Sequence, residues 1–264
     1  MDSLASARPD PAGAEKLPRT FGLKDVFTCI NILAGVGAIV FCIEGDLRLA
    51  AYSFLLGFIL GDSLDGWVAR KTNTANRFGA EFDTVGDHFV QCVAPAFMVY
   101  AAYRPLSPYL GAVLAAALVI SGSIRHARGA VVSADFPMAY IGMPRTVSSF
   151  VIISFLNSAF IPRVPGYLWF GVALVAFLCV ANLLPIPFRS HKGRKLKPWV
   201  KYFIFAFFSM TIVALALLPR YVFDVTLLWL IAYSTTSWLE MEPEERREFF
   251  TRARQWSAAV RAAR

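Results

Sequence analysis

Charged side chains are scarce in this sequence of 264 residues. They make up 17% of it, whereas typical soluble domains have roughly 25%. Apolar residues make up 57%, and they come in blocks too long for the core helices of an ordinary soluble domain. These two features argue against one or two soluble domains and predict an all-α polytopic membrane protein.

Cysteines are few and have no paired spacing. Cys29, Cys42, Cys92 and Cys179 each lie inside an apolar stretch. This distribution suggests neither a disulfide framework nor a cysteine-based metal knuckle. We predict that all four are small hydrophobic residues packed in helices.

The first residues lack the features of a signal peptide. Residues 1–20 are polar, with prolines and charges of both signs, and they contain no apolar core followed by a small-residue cleavage site. We predict a flexible cytoplasmic N-terminal tail. The net charge of +8 does not form a nucleic-acid patch, because the basic residues lie between apolar blocks. There they set topology and meet anionic lipid headgroups.

Eight apolar blocks are each near the ~20 residues that a helix needs to cross a bilayer. They cover residues 25–43, 48–69, 80–102, 108–128, 146–161, 166–187, 202–218 and 222–239. Every second connection between them carries a single arginine, and the other connections are richer in Lys and Arg. Basic residues mark the cytoplasmic side, so we predict eight spans with both termini in the cytoplasm.

The last 25 or so residues have a different pattern. Apolar Phe249, Phe250, Ala253 and Trp256 recur at roughly helical spacing within a charged stretch. This pattern predicts either an amphipathic helix on the membrane surface or a solvated helical tail.

Four aspartates lie in or beside two neighbouring apolar blocks. Asp62 and Asp65 are three residues apart, and Asp83 and Asp87 are four apart, so each pair shares one helix face. A short basic turn joins the two blocks, so the carboxylates can converge near the cytoplasmic surface. Ionised aspartates at such depth cost several kcal/mol unless a cation neutralises them. All-oxygen ligation predicts Mg²⁺ or Mn²⁺.

Two glycines and an arginine accompany these aspartates. Gly66 and Gly79 lack side chains, which lets a ligand approach the backbone. Arg70 lies one turn beyond Gly66 and can pair with a phosphate oxygen. Close helix packing is the alternative explanation for isolated glycines in membrane helices.

Eight residues of this stretch resemble the signature of the CDP-alcohol phosphotransferase family, D-x2-D-G-x2-A-R-x8-G-x3-D-x3-D. They are Asp62, Asp65, Gly66, Ala69, Arg70, Gly79, Asp83 and Asp87. The resemblance implies a six-helix core over residues 21–195 that forms a homodimer. Two additional transmembrane helices over 196–239 and a cytoplasmic amphipathic tail over 240–264 would follow that core.

The resemblance also implies roles for individual residues. The four aspartates would bind two divalent ions, and Asp87 would act as the general base on an acceptor hydroxyl. The alkoxide would attack the lipid-linked phosphorus of CDP-diacylglycerol, and CMP would leave. The residues expected to hold the CDP-lipid are Asn31, Asp62, Asp65, Gly66, Ala69, Arg70 and Gly79.

Other stretches are similar to the phosphatidylserine synthase branch of the family. They are Phe27–Gly35, Cys92–Ala96, Ile124–Arg128, Tyr140–Pro144 and Asn182–Lys192. This similarity implies L-serine as the acceptor. It also implies an enzyme of the bacterial inner membrane with its active site at the cytoplasmic side.

Three arginines lie where the resemblance places the acceptor pocket. Arg125, Arg128 and Arg145 can hold the carboxylate of serine, or equally the phosphate of glycerol phosphate or inositol phosphate. Those acceptors, and inositol, therefore stay open as alternatives. Topology-setting charge at a cytoplasmic loop is a further explanation for the arginines. We expect His88 to pack beside the site or support it.

An ion-coupled transporter is the alternative from a different functional class. In such a protein, buried aspartates would bind a coupling ion at the bilayer midplane. Here the carboxylates cluster near one face, and the sequence shows no inverted repeat. These features favour the enzyme.

Overall fold

The computed structural model describes residues 21–62, 77–132, 139–189 and 198–262. Helices make up most of these ranges. They are α1 (Leu23–Ile43), α2 (Leu47–Gly57), α3 (Arg77–His88), α4 (Ala94–Tyr103), α5 (Pro108–Val132), α6 (Arg145–Asn157), α7 (Tyr167–Leu183), α8 (Pro198–Leu217), α9 (Val222–Glu240) and α10 (Pro243–Ala262). Two π-helical turns extend this set: Phe58–Asp62 continues α2, and Phe89–Val93 joins α3 to α4.

The helices follow the apolar blocks of the sequence, which confirms the helical fold class. The third block, for example, corresponds to the continuous run of α3, its π-turn and α4 over residues 77–103. Two predicted regions lie outside the described residues: the N-terminal tail 1–20 and the end of the second block, 63–69.

Three helices within the described ranges are long and apolar enough to cross a membrane. They are Lys24–Ile43, Pro108–Ala130 and Trp199–Leu217. Arg145–Asn157 and Tyr167–Leu183 are apolar but shorter. Large apolar side chains on these helices, such as Leu33 and Leu217, face outward, as they do in an integral membrane protein. The count of eight crossings stays a prediction.

A short antiparallel strand pair interrupts the helical pattern. β1 (Ala139–Ile141) pairs with β2 (Pro187–Arg189), with Tyr140 opposite Phe188. The apolar pattern predicted no strands, and the sixth apolar block extended to residue 187. The helix α7 ends at Leu183 because Pro185 and Pro187 follow it, and proline cannot continue a helix.

The end of α2 remote from the aspartates holds the hairpin of α8 and α9 against the other helices. Arg48 donates through Nη1 to the carbonyl of Asn157 over 2.6 Å, and through Nη2 to the carbonyls of Pro219 and Arg220 over 2.6 and 2.7 Å. The Asp224 carboxylate accepts from the amide of Ala159 over 2.9 Å. The turn between α8 and α9 is thereby joined to α2 and to the end of α6.

Replacing Arg48 with Leu is expected to lower the stability of the folded protein. Hydrogen bonds to a charged group contribute about 1.5–3 kcal/mol each when buried and less when partly exposed, so we expect a total loss of about 2–3 kcal/mol. For a chain of this size that corresponds to a fall in Tm of about 4–8 °C. Thermal unfolding of the detergent-solubilised protein measures it.

Arg163→Leu is the matched control for this prediction. Arg163 also lies in a connection with a single arginine, and its guanidinium contacts the ring of Phe160. An equal fall in Tm for both variants would contradict a special role of Arg48.

The C-terminal tail is helical, and its apolar face packs on protein. Met241, Phe249 and Ala253 are buried together, with Ile141 of β1 against them. The sequence analysis had left a membrane-surface helix and a solvated helix open. In the structure Phe249 and Ala253 of α10 pack with Met241 against Ile141 of β1, and the position of the tail relative to the membrane stays a prediction.

Candidate active site

Three carboxylates meet where α2 ends and α3 runs past it. Asp62 is the last residue of the π-turn that continues α2, and Asp83 and Asp87 lie one turn apart on α3. One carboxylate oxygen from each lies within 4.8 Å of the others. The structure thus brings together three of the four predicted aspartates. The fourth, Asp65, lies outside the described residues, as do Gly66, Ala69 and Arg70.

Both π-turns adjoin this carboxylate cluster. One π-turn ends at Asp62. The other begins at Phe89, which is two residues beyond Asp87. A π-turn rotates the residues on its two sides relative to a regular α-helix, and such turns are frequent at functional sites. Residue spacing alone placed Asp83 and Asp87 on one face, but it did not reveal these turns.

Asn31 of α1 completes the polar surroundings of the cluster. Its Nδ2 donates to Oδ1 of Asp87 over 3.3 Å, and the residue is only 2% exposed. The resemblance had assigned Asn31 to the CDP-lipid. In the structure its contact with Asp87 fixes one oxygen of that carboxylate.

Gly61 allows α1 to approach the cluster this closely. A β-carbon at residue 61 would lie 2.6 Å from Cβ of Asn31 and 2.8 Å from its backbone nitrogen. A β-carbon essentially never lies this close to a non-bonded atom, so any other residue would push the two elements apart. Gly61 directly precedes Asp62, but the sequence pattern alone did not indicate this packing role.

Gly79 serves the same kind of packing one turn before Asp83. A β-carbon there would collide with the side chains of Lys24 and Asp25. Those two side chains form an ion pair at the start of α1, with 3.5 Å between Nζ and Oδ1. In this structure the missing side chain of Gly79 makes room for α1.

The donor set fits a divalent cation. One oxygen of Asp83, Oδ1, is buried and has no hydrogen-bond partner among the described residues, and such an oxygen costs about 1–3 kcal/mol or more unless something compensates it. Oxygens on opposite sides of Mg²⁺ are about 4.2 Å apart, and the three carboxylates each offer an oxygen within 4.8 Å of the others. Asp62, Asp83 and Asp87 are therefore suited to hold such an ion.

A cavity of about 470 Å³ opens beside the carboxylate cluster. Its polar lining includes Asp62, Asp87, Gln91, Arg125, Arg145 and Thr146. Two of the three arginines predicted for the acceptor pocket, Arg125 and Arg145, thus lie in the same cavity as the predicted general base.

Gln91 is a cavity residue that the sequence analysis missed. It follows Asp87 by four residues and is buried, and its Oε1 accepts from the hydroxyl of Thr146 over 3.2 Å. The hydroxyl of Ser149 lies within hydrogen-bonding distance of the backbone carbonyls of Gln91 and Arg145. The four-residue spacing from Asp87 was the available signal for Gln91.

His88 lies beside Arg145 and does not line the cavity. Its Nε2 lies 3.2 Å from the hydroxyl of Ser123, and its Nδ1 lies 3.5 Å from Nη1 of Arg145. The ring of His126 packs beside it, with 5.3 Å between the ring centroids. His88 therefore contributes to the position of Arg145.

Arg128 is not brought to the cavity. Its guanidinium donates to the backbone carbonyls of Ile141, Asn182 and Leu183 over 3.2, 2.8 and 2.5 Å. These contacts join α5 to β1 and to the end of α7. The family resemblance had placed Arg128 in the acceptor pocket together with Arg125 and Arg145. In the structure the guanidinium of Arg128 is directed at these carbonyls.

Comparison with known proteins gives several relatives. A CDP-diacylglycerol–serine O-phosphatidyltransferase of Methanocaldococcus jannaschii is 31% identical over 133 residues, which is 50% of this chain and 59% of the relative. An archaetidylserine synthase of Methanothermobacter thermautotrophicus is 32% identical over 148 residues, 55% and 62% of the two chains. The chain thus spans about three fifths of the length of these two proteins.

A bacterial relative is matched over a larger share. A CDP-diacylglycerol–serine O-phosphatidyltransferase of Helicobacter pylori is 28% identical over 195 residues, 72% of this chain and 80% of the relative. A family model described as CDP-alcohol phosphatidyltransferase matches residues 22–238. That match covers the carboxylate cluster and the cavity, and it extends through α8 and most of α9. The chain belongs to the CDP-alcohol phosphatidyltransferase family.

Proposed function

We propose that the protein transfers the phosphatidyl group of CDP-diacylglycerol to the hydroxyl of L-serine, releasing CMP and forming phosphatidylserine. The observation that carries this proposal is the carboxylate cluster at one wall of a cavity that also holds Arg125 and Arg145. Family membership supports the transfer of a phosphatidyl group. The names of the archaeal and bacterial relatives support serine as the acceptor.

Asp62, Asp83 and Asp87 would hold Mg²⁺ or Mn²⁺, with Asp65 as the fourth ligand. When bound, such ions stabilise negative charge on the diphosphate oxygens of the donor and on the departing CMP. The family resemblance implies two ions. Gly66, Ala69, Arg70, Gly79 and Asn31 remain the residues proposed to hold the CDP-lipid.

Two observations support Asp87 as the general base. It lines the cavity, and Asn31 fixes one of its oxygens. Its carboxylate takes the proton of the serine hydroxyl when that hydroxyl lies within hydrogen-bond reach. The serine oxygen then forms a bond to the lipid-linked phosphorus, and the bond from that phosphorus to CMP breaks.

Arg145 and Arg125 would hold the carboxylate of serine. Arg145 is the first residue of α6 and lies beside His88, so its guanidinium is placed at the cavity from a rigid element. Two guanidinium groups suit a carboxylate because each can donate two parallel hydrogen bonds. Gln91 adds an amide group to the same polar wall.

Replacing Arg145 with Ala is expected to raise the KM for serine at least about tenfold, because a charge-assisted hydrogen bond of about 1.5–3 kcal/mol is lost. The KM for CDP-diacylglycerol should stay within about twofold. Arg145→Lys keeps the charge without the paired donors, so we expect an intermediate KM. If the KM for serine is unchanged in both variants, Arg145 is not part of the acceptor pocket.

An acceptor panel tests the proposed function as a whole. Purified protein, CDP-diacylglycerol and Mg²⁺ are incubated with serine, glycerol phosphate, inositol phosphate or inositol. CMP release and lipid chromatography follow the reaction. We expect phosphatidylserine from serine alone. A lipid product formed from another acceptor would identify that molecule as the acceptor in place of serine. Absence of CMP release with every acceptor would favour the ion-coupled transporter.

The membrane arrangement is part of the same proposal. We propose eight crossings of a bacterial inner membrane, with both termini and the active site on the cytoplasmic side. The helices found within the predicted apolar blocks support it, as does the alternation of basic connections in the sequence. The homodimer implied by the family resemblance stays a prediction.

A further inference from the structure

The cavity beside the carboxylate cluster has a second, apolar half. This half is built largely by α8 and α9, the two helices that follow the predicted six-helix core. The residues concerned are Phe203, Phe207 and Phe208 of α8 and Trp229, Leu230 and Tyr233 of α9. The mechanism described above uses none of them.

These residues form one continuous wall. The ring of Trp229 packs edge-on against Phe203, with 4.7 Å between the ring centroids, and lies 6.1 Å from Phe207 in a similar orientation. Other residues of the same helices face the opposite way: Phe205 is 72% exposed and Leu228 is 68% exposed. The hairpin therefore has an inward apolar face that lines the cavity and an outward face that meets the surroundings.

The wall lies at one level of the hairpin. With a rise of about 1.5 Å per residue, residues 203–208 lie about 8–15 Å from the start of α8, and residues 229–233 lie about 10–16 Å from the end of α9. If the hairpin crosses the membrane, this level is within the hydrocarbon region. The polar wall with Asp62 and Asp87 borders the same cavity.

Serine does not account for this wall. It is small and polar, and the groups suited to bind it lie at the other side of the cavity. A volume of about 470 Å³ is within the ~300–1,000 Å³ range of cavities that enclose much larger ligands. An aromatic, uncharged lining gains free energy by covering hydrocarbon, at about 25 cal/mol per Å². In the proposed reaction, the substrate with hydrocarbon is the lipid donor.

We propose that α8 and α9 form a binding subsite for an acyl chain of the CDP-linked lipid. This inference rests on the proposed function, which supplies the lipid donor, and it names the part of the chain that recognises the donor's hydrocarbon. The carboxylate cluster would hold the divalent ions that bind the diphosphate end of the donor, and the aromatic wall binds its tail.

A pair of leucine variants tests the subsite by direct binding. Leu230→Trp places a larger side chain in the cavity, and Leu228→Trp makes the same change on the outward face of α9. Affinity is measured in detergent with Mg²⁺ for two probes, CDP-dioleoylglycerol and CDP. We expect Leu230→Trp to weaken binding of the CDP-lipid at least about tenfold and to leave CDP binding unchanged. Leu228→Trp should change neither.

CDP binding also reports whether Leu230→Trp is folded. Should that variant lose CDP binding as well, Phe207→Ala with Phe205→Ala as control repeats the comparison by removing part of the wall. The inference is overturned if the wild-type protein binds the CDP-lipid and the inward variants bind it equally well. A raised serine KM with unchanged CDP-lipid affinity would instead assign the wall to the acceptor.

Failure of the proposed function gives a different result. If serine is not the acceptor, CDP-lipid binding and its loss in Leu230→Trp still stand. If the wild-type protein binds neither CDP-dioleoylglycerol nor CDP, the proposed transfer fails together with the subsite.

Discussion

Asp87→Asn is expected to lower kcat at least about 100-fold while CDP-diacylglycerol still binds. A positioned general base contributes about 10²–10⁴-fold to a rate, and an amide cannot take a proton from the acceptor. Asn has nearly the same shape as Asp, so the packing around Asn31 and Gly61 should be preserved. CMP release measures kcat, and titration with CDP-dioleoylglycerol measures donor binding.

Asp46→Asn is the control for this variant. Asp46 caps α2, where its side chain accepts from the amide of Leu49 over 2.8 Å, and Asn caps helices about as well. This control should keep normal activity. If Asp87→Asn instead loses donor binding in proportion to activity, Asp87 acts through the metal or the donor and is not the base.

Removal of divalent metal is expected to abolish transfer completely. Without a cation, the carboxylates of Asp62, Asp83 and Asp87 repel one another within 4.8 Å, and they also repel the donor's diphosphate. Dialysis against EDTA should stop CMP release, and Mg²⁺ or Mn²⁺ should restore it. Activity that survives exhaustive chelation would contradict a metal-dependent reaction.

A second pair of variants locates the metal. Asp83→Asn should raise the Mg²⁺ concentration needed for half-maximal activity at least about tenfold, because an ionised ligand with a buried oxygen is lost. Glu81→Gln removes a carboxylate from the exposed side of the same helix and should leave that concentration unchanged. An equal shift in both variants would indicate a general charge effect.

Much of the fold could be predicted from the sequence, because apolar length and proline are local signals. The blocks that predicted α1, α5 and α9 agree with the helices within a few residues. The pair of β1 and β2 could not be predicted in this way, because it joins residues almost 50 positions apart and each strand is only three residues long. The π-turns next to Asp62 and Asp87 could not be predicted from hydrophobic periodicity either, because periodicity assumes a regular α-helix.

The part of the candidate site that residue spacing determines could be predicted from the sequence. Asp83 and Asp87, four residues apart, had to share a face, and their partner Asp62 followed from the antiparallel arrangement of the helices. Arg128 was predicted beside Arg125 and Arg145 from the family resemblance, and only the structure shows its guanidinium directed at three carbonyls. The apolar wall of α8 and α9 was missed because helices that are apolar all round reveal no preferred face.

The attachment of α8 has a consequence for how a lipid product leaves. This helix packs mainly on α9 and on the turn Pro219–Tyr221, and Arg48 holds that turn. The part of α8 that borders the cavity lies far from the held end, so a slight outward tilt there would open a sideways exit into the bilayer. α1 and α3, which carry Asn31 and two of the carboxylates, would not have to move.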